Sequence, residues 1–180
     1  MAIEQITFCG HEDWYALFVK TGAEHAVQRK LKNMEFQDLD FHVPSREMRI
    51  RKKGKWVIDI QPMFPGYILV NGRLTDSNYS KAKQIADVYT WIGNDRGPLP
   101  IYPEEVALLK KLIDGDDLIR ISRVVYEGMR IIIVDGPLMG QEAIIRKVDR
   151  RKSRVKIALS VFGNEKLVDI SIEDVEGKVF

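Results

Sequence analysis

Several residue types are scarce in this 180-residue chain, and each shortage argues against a class of protein. Because Cys9 is the single cysteine, no internal disulfide can form, which favours a reducing, cytoplasmic location. Cys9, His11, His25 and His42 are too few and too scattered to predict a zinc site. No apolar run approaches the roughly 18 residues of a membrane span, and no secretory leader pattern is recognisable.

The chain also has little that predicts catalysis. No His lies near a Ser or Cys in the pattern of an activated nucleophile, and acidic residues are dispersed over helix ends and the C-terminal tail. The segment from Gly136 to Gly140 lacks the Lys-Ser/Thr that a phosphate-binding loop needs. We therefore expect a protein that is not an enzyme and that uses no cofactor or metal.

What the chain does have is concentrated positive charge, although its net charge is only +2. Residues 46–55 contain six basic residues against one acidic residue, a local net charge of +5. Residues 146–156 contain seven basic residues against one acidic residue, a local net charge of +6. Two separate basic segments predict contact with a polyanion at more than one place.

The last third of the chain predicts a small β-barrel. Apolar runs at 130–134 and 143–148 are separated by the turn 135–140, and the second run leads into the basic turn 149–153. Val155, Ile157, Leu159 and Val161 then alternate with smaller or polar residues, which is typical of a strand with one buried face. Short strands at this spacing favour a barrel.

The first two thirds predict an α+β domain with alternating strands and helices. The expected strands are 14–19, 41–50, 56–60, 67–70 and 88–92, and the expected helices are 23–34, 77–86 and a third that begins at Pro103 and ends at Gly115. Thr21 and Glu24 fit a capping box at the start of the first helix. We place a disordered lead-in at 1–13, the first domain at 14–114, a linker at 115–122 and the barrel at 123–180.

Four motifs in the first domain resemble the N-terminal domain of the NusG family of transcription elongation factors. They are Trp14-Tyr15-Ala16-Leu17, Gly22-Ala23-Glu24, Phe64-Pro65-Gly66-Tyr67 and Trp91-Ile92-Gly93. Gly128, Asp135-Gly136-Pro137 and the run from Lys152 to Gly163 resemble the KOW domain of the same family, an SH3-like barrel. The fold implied is an α+β NusG-type N-terminal domain followed by a small all-β KOW barrel.

The barrel departs from the housekeeping pattern of the family. Leu138 stands where a Phe is usual, and an aromatic residue and a Gly are expected near Gln141 and Ala143. These positions lie in the loop that the family uses for protein partners. Together with the more basic barrel, these departures resemble a specialised paralogue of the LoaP type, an antiterminator that recognises a leader RNA hairpin.

The resemblance implies three contact regions. An aromatic set would contact the clamp of RNA polymerase, and the basic hairpin tip would contact the DNA backbone at the upstream fork. The barrel cations would bind RNA. The polymerase set is Trp14, Tyr15, Phe64, Pro65, Gly66, Tyr67 and Trp91; the DNA set is Arg51, Lys52, Lys53 and Lys55; the RNA set is Arg146, Lys147, Arg150, Arg151, Lys152, Arg154 and Lys156.

These features predict a monomeric transcription elongation factor that binds RNA polymerase, promotes processive antitermination and carries a KOW domain for a structured leader RNA. One alternative is a general NusG elongation and termination factor whose barrel binds proteins. Others are a ribosome-associated RNA-binding protein and a regulator whose barrel refolds into helices. The alternation from Val155 to Val161 favours a stable barrel over the last.

Overall fold

The computed structural model describes residues 13–175, and the remainder of the expected lead-in lies outside the described residues. The strands are β1 (Trp14–Val19), β2 (Leu39–His42), β3 (Ser45–Lys52), β4 (Lys55–Pro62), β5 (Tyr67–Gly72), β6 (Val88–Trp91), β7 (Gly93–Asn94), β8 (Gly97–Pro98), β9 (Leu118–Ile119), β10 (Ser122–Glu127), β11 (Arg130–Asp135), β12 (Ile145–Asp149), β13 (Arg154–Val161) and β14 (Asn164–Asp174). The helices are α1 (Glu24–Asn33), α2 (Asp76–Lys83) and α3 (Pro103–Leu112), and Glu142–Ile144 forms a 3₁₀ turn. None of the helices within residues 13–175 is long and apolar enough to cross a membrane.

The chain forms two compact units. The first comprises the described residues up to Pro44 together with Phe64–Pro103. The second comprises Ser45–Met63 together with the residues from Glu104 onward. The predicted linker at 115–122 lies inside the second unit, where β9 pairs in parallel with β3.

The first unit is an antiparallel sheet in the order β2-β5-β1-β6. One sheet face forms an apolar core with α1 and α2, in which Leu17, Val27, Leu31 and Ile68 are fully buried. The predicted capping box is wrong, because α1 has no side-chain cap and Glu24 is 2% exposed. The Glu24 carboxylate instead accepts a hydrogen bond from the Gly66 amide at 2.7 Å.

Two element boundaries differ from the sequence prediction. The strand expected at 41–50 is divided into β2 and β3, which belong to different sheets, and Pro44 lies at the break. Proline lacks the N–H that a continuous strand would donate, which accounts for the interruption. Helix α2 ends at Lys83 rather than at residue 86, and Ala86 is exposed.

The second unit contains a five-stranded sheet in the order β11-β10-β14-β13-β12 and a three-stranded sheet in the order β4-β3-β9. The alternation predicted for β13 is confirmed, since Val155, Ile157, Leu159 and Val161 are all at most 1% exposed. Helix α3 packs its buried Val106, Leu109 and Leu112 inward and belongs to this unit.

Candidate nucleic-acid and protein interfaces

The basic turn between β12 and β13 has a fixed backbone. The Asp149 carboxylate accepts a hydrogen bond from the Lys152 amide at 3.0 Å. The Ser153 amide donates to the Arg150 carbonyl at 3.2 Å, and Ser153 has a φ of 49°. These bonds close the turn locally, so Arg150, Arg151 and Lys152 are presented on a preformed loop.

Several of the cations expected to bind RNA already have protein partners. Arg146 donates to the Ala143 carbonyl at 2.8 Å and lies 3.7 Å from the Glu165 carboxylate. Arg150 donates to the Gly128 carbonyl and lies 4.1 Å from the centre of the Tyr126 ring. Lys156 forms a 2.9 Å ion pair with Asp169. These contacts orient the side chains and reduce their freedom to meet a ligand.

Arg154 is half-buried rather than fully outward-facing. Its Nη2 donates to the Arg49 carbonyl at 3.4 Å, and its Nε is buried without a hydrogen-bond partner among residues 13–175. Arg46 lies nearby and donates to the Asp169 carbonyl at 2.7 Å. Burial lowers the pKa of Arg46, Asp169 opposes that effect, and the Arg154 charge lowers it further. The sequence therefore identified Arg154 as a candidate cation but not its degree of burial.

Of the five exposed cations in the RNA set, three have no partner for their charged groups within the described chain. They are Lys147, Arg151 and Lys152, which we call the cationic edge. Lys147 and Lys152 also line a small cleft of about 150 Å³, together with Val155, Lys156, Arg154, Asp149 and Asp169. Because unpaired surface cations keep their charge available, the cationic edge is the part of the barrel best suited to phosphate groups.

The hairpin tip is a two-residue turn at Lys53 and Gly54, both with positive φ, at 49° and 79°. Such turns match the twist of the two strands they join. Arg51 Nε donates to the Gly54 carbonyl at 3.3 Å, and Lys52 pairs with Asp59 at 3.0 Å. Hydrogen bonds from Gln61 and then from Lys52 hold the pKa of Asp59 below its ordinary value of 3.8.

The polymerase set divides by burial. Tyr15, Phe64 and Trp91 are 2%, 3% and 5% exposed. Trp91 Nε1 donates to the Tyr79 carbonyl at 3.2 Å, and its ring meets Tyr15 edge-on. Tyr15 and Trp91 belong to the core beneath the sheet, and a partner protein could not contact any of the three buried side chains in this conformation.

The remaining members of the set lie closer to the surface. Tyr67 and Trp14 are partly exposed, Pro65 is exposed, and the Gly66 backbone is buried. The Tyr67 amide donates to the Phe64 carbonyl at 3.0 Å, which closes the turn of this motif.

Tyr67 belongs to an aromatic patch that sequence reasoning missed in part. Its ring centre lies 5.5 Å from that of Phe18, which in turn lies 5.3 Å from that of Tyr89. Tyr89 is 54% exposed. Phe18 lies opposite Tyr67 in the β1–β5 register, and this pairing could be found only once the two strands were known to be neighbours. We call Phe18, Tyr67 and Tyr89 the aromatic patch.

The departure at position 138 lies in the core of the barrel. Leu138 is fully buried, and its amide donates to Ser122 Oγ at 3.0 Å. Gln141 is partly exposed and Ala143 is exposed. Position 138 therefore packs beneath this loop, whereas positions 141 and 143 contribute to its surface.

Comparison with known proteins identifies the family of this chain. A family model described as transcription termination factor nusG matches residues 12–110. The chain is 31% identical to the transcription termination/antitermination protein NusG of Buchnera aphidicola subsp. Baizongia pistaciae, over 91% of this chain and 94% of that protein. It is 27% identical to NusG of Pseudomonas aeruginosa, covering 91% and 97%, and 26% identical to NusG of Bacillus subtilis, covering 92% and 98%.

A solved structure, described as domain interaction in Thermotoga maritima NusG, aligns with a TM-score of 0.53 at 19% identity, covering 89% of this chain and 93% of that one. The likeness confirms the predicted fold class, an α+β NusG-type domain followed by a small all-β barrel. On the family match and the full-length relatives together, the chain belongs to the NusG family of transcription termination/antitermination factors.

Proposed function

We propose that this chain is a non-catalytic, monomeric, cytoplasmic antitermination factor of the LoaP type, with an N-terminal domain at 14–114 that binds RNA polymerase and a KOW domain at 123–180 that binds a structured leader RNA. The observation that carries the proposal is the cationic edge, where Lys147, Arg151 and Lys152 are exposed with no partner within the described chain.

The cationic edge suits a folded RNA better than a single strand. The turn that carries it is closed by Asp149 and Ser153, so little conformational freedom is lost when a ligand binds. Hairpin RNA presents closely spaced phosphates and a shape that is read mainly through its backbone. Arg151 can also stack on an unpaired loop base. RNA loaded in this way would bring the factor to selected transcripts.

The aromatic patch supports the proposed polymerase contact. Exposed aromatic side chains on a rigid sheet are typical anchors of protein interfaces. Tyr67 and Trp14 would make direct contact, with Phe18 and Tyr89 as additional members, while the buried Tyr15 and Trp91 pack in the core of the sheet beneath them. Tighter binding to the processive state of the polymerase would shift its population toward that state.

The hairpin tip would contact the DNA backbone. The four cations of this set, Arg51, Lys52, Lys53 and Lys55, are all exposed. Such contacts would be independent of sequence and sensitive to salt.

The deciding experiment is a binding titration of the intact protein against leader RNA hairpins and a scrambled duplex. We expect the triple variant Lys147→Ala/Arg151→Ala/Lys152→Ala to lose at least about tenfold in affinity for the preferred hairpin, because three phosphate contacts are removed. The variant Arg29→Ala/Lys30→Ala/Lys32→Ala on α1 removes the same charges from another surface and should bind within about twofold of the parent.

The outcome decides whether the protein binds a specific structured RNA. Tight binding to one hairpin that the first variant loses and the control keeps would support an RNA-loaded factor. Weak binding that ignores RNA structure and is equally reduced in both variants would reject it.

The alternative is a general NusG factor whose barrel binds proteins. Met139, 62% exposed in the loop beside Gln141, is the observation that favours it. Capture of a termination factor by the intact protein, lost in Met139→Lys, would support this second function.

A further inference from the structure

The shaft of the β3–β4 hairpin carries exposed apolar side chains on one face. Trp56, Ile58 and Ile60 are 56%, 59% and 58% exposed, and they alternate along β4 with Val57 and Asp59. Most surface strands place polar residues at such positions. A row of three large apolar side chains, called here the apolar stripe, is therefore a feature that the isolated chain leaves in contact with water.

The same three residues have the free backbone groups of an edge strand. Strand β4 pairs with β3 alone among the described strands, so its other side is open. Lys52 and Lys55 flank a two-residue turn, so they form a hydrogen-bonded pair. The backbone N–H and C=O groups of Val57, Asp59 and Gln61 therefore point toward β3. The amides and carbonyls of the apolar stripe therefore point outward.

Two further observations on this hairpin agree with the assignment. The register makes Arg49 the partner of Ile58 in a pair without mutual hydrogen bonds, and the Arg49 amide is indeed directed away from β4, to Ser171 Oγ at 2.9 Å. Pro62 occupies a further outward position, where its missing N–H leaves the β3–β4 ladder intact.

The surroundings of the apolar stripe are mixed in polarity but basic overall. Trp56 and Ile58 form one wall of an open groove of about 420 Å³, whose other lining residues are Glu47, Arg49, Val57, Ile121, Arg123 and Glu173. Arg49 lies 5.8 Å from the Trp56 ring. Segment 46–55, with its net charge of +5, borders the stripe.

We propose that the outer edge of β4 binds an extended acidic segment of another protein, which adds to the sheet as a fourth strand. The outward amides and carbonyls of Trp56, Ile58 and Ile60 would pair with its backbone, and apolar side chains in the segment would cover the stripe. Because side chains alternate between the two faces of a strand, its Asp or Glu residues would lie on the opposite face, near Lys52 and Lys55. Strand addition of this kind takes affinity from the main chain and specificity from alternate side chains.

The chemistry favours this occupant over two others. Nucleic acid has no backbone donors and acceptors at strand spacing, and of the three residues in the stripe only Trp56 offers a ring on which a base can stack. A second copy of the chain would bring together two hairpins, each carrying the same concentrated positive charge, and like charges oppose such pairing. The proposed DNA contact uses the tip of the hairpin, whereas the strand addition uses its shaft, so either can fail without the other.

The test uses the intact protein and a short synthetic peptide in which Glu and Val alternate. We expect saturable binding by calorimetry, with slower hydrogen exchange at the amides of Trp56, Ile58 and Ile60. A peptide with Lys in place of Glu, and one with alternate amides N-methylated, should each bind at least about tenfold more weakly. Equal binding of the three peptides would overturn the proposal.

Two variants distinguish strand addition from nonspecific apolar binding. Ile58→Pro removes one outward amide but no ladder hydrogen bond, so the hairpin should persist, as shown by retained exchange protection at Met48 and Ile50, while peptide affinity falls about tenfold. Leu167→Lys alters a side chain that is also 56% exposed on β14 and should leave affinity within about twofold.

Two results would assign another occupant and overturn the proposal. Protection of the stripe by duplex DNA instead of the peptide would assign it to nucleic acid. Concentration-dependent dimerisation that Ile58→Pro abolishes, without peptide binding, would assign it to a second copy.

Discussion

At the scale of single residues, a buried carboxylate at the start of α3 holds a turn of the barrel. Glu105 is 5% exposed and accepts hydrogen bonds from Ser160 Oγ at 2.7 Å and from the amides of Phe162 and Gly163 at 2.9 and 3.1 Å. Phe162 and Gly163 both have positive φ, 57° and 72°. The two amide bonds therefore stabilise a turn that places a bulky residue in an unfavourable backbone conformation.

We predict that Glu105→Ala lowers the free energy of unfolding by about 2–4 kcal/mol, because three donors lose a charged acceptor. Urea unfolding of the intact chain measures this change. Glu104→Ala, at the exposed neighbouring position on the same helix, should change stability by less than about 0.5 kcal/mol. Similar values for the two variants would contradict the assigned role.

A second residue-scale prediction concerns acid sensitivity. Hydrogen bonds to its carboxylate, first from the Asp116 amide, and the nearby Arg120 hold the pKa of Asp114 below its ordinary value of 3.8. Since the folded-state pKa is the lower one, Asp114 contributes stability above pH 3.8, and this contribution is lost as the pH falls through the folded value. Asp114→Asn should flatten the dependence of stability on pH below about pH 4, measured by urea unfolding across an acid series; an unchanged profile would refute it.

Sequence reasoning at this scale identified residue types but not partners. The acidic residue after Thr21 fitted a capping box, yet Glu24 accepts from Gly66, 42 residues away. Likewise, consecutive cations in a hairpin turn had to be exposed, whereas the contacts of Arg150 with Gly128 and Tyr126 depend on strand register. Such pairs arise from tertiary packing and have no local signal.

At the scale of elements, strand β5 approaches the backbone of residue 38 at a glycine. Gly72 has a φ of 125°, and a Cβ at this position would lie 1.9 Å from the Asp38 carbonyl oxygen. Only a residue without a side chain fits here, so β2 and β5 can pair as they do.

We predict that Gly72→Ala destabilises the protein by more than about 2 kcal/mol, because both the clash and the positive φ are unfavourable. The free energy of unfolding from urea titration is the measurement. Gly115→Ala serves as the matched control, because Gly115 has open space around its Cα and should tolerate the change within about 0.5 kcal/mol.

The sequence predicted where helices and strands form better than it predicted which of them pack together. Periodicity placed β1, α1 and β13 near their observed positions because hydrophobic faces repeat with a fixed period in strands and helices. It did not show that the hairpin at Ser45–Met63 groups with the barrel strands, since that depends on contacts such as Arg49 with Ser171. The aromatic patch was incomplete in the prediction for the same reason.

At the scale of the whole molecule, a net charge of +2 conceals two separate basic regions. The cationic edge lies on the barrel and the other cations lie at the tip of the hairpin. Each region has its own geometry, so binding to RNA and binding to DNA should respond to salt independently.

We predict that the slope of log affinity against log salt for the leader hairpin becomes shallower by about 2–3 in Lys147→Ala/Arg151→Ala/Lys152→Ala, since three phosphate contacts are lost. Lys53→Ala/Lys55→Ala should leave that slope unchanged while reducing the slope for duplex DNA. If both variants reduced the salt dependence for both ligands, the two basic regions would act as one continuous electrostatic surface rather than as two separate sites.

The position of Trp56 gives the protein an optical reporter. Trp91 is buried with its indole N–H bonded to the Tyr79 carbonyl, and Trp14 is partly covered beside His42, whereas the Trp56 ring is largely surrounded by water. The emission maximum of Trp56 should lie at a longer wavelength than those of Trp14 and Trp91, and acrylamide should quench Trp56 first. Changes in that quenchable fraction would report on ligand binding at the hairpin without any chemical label.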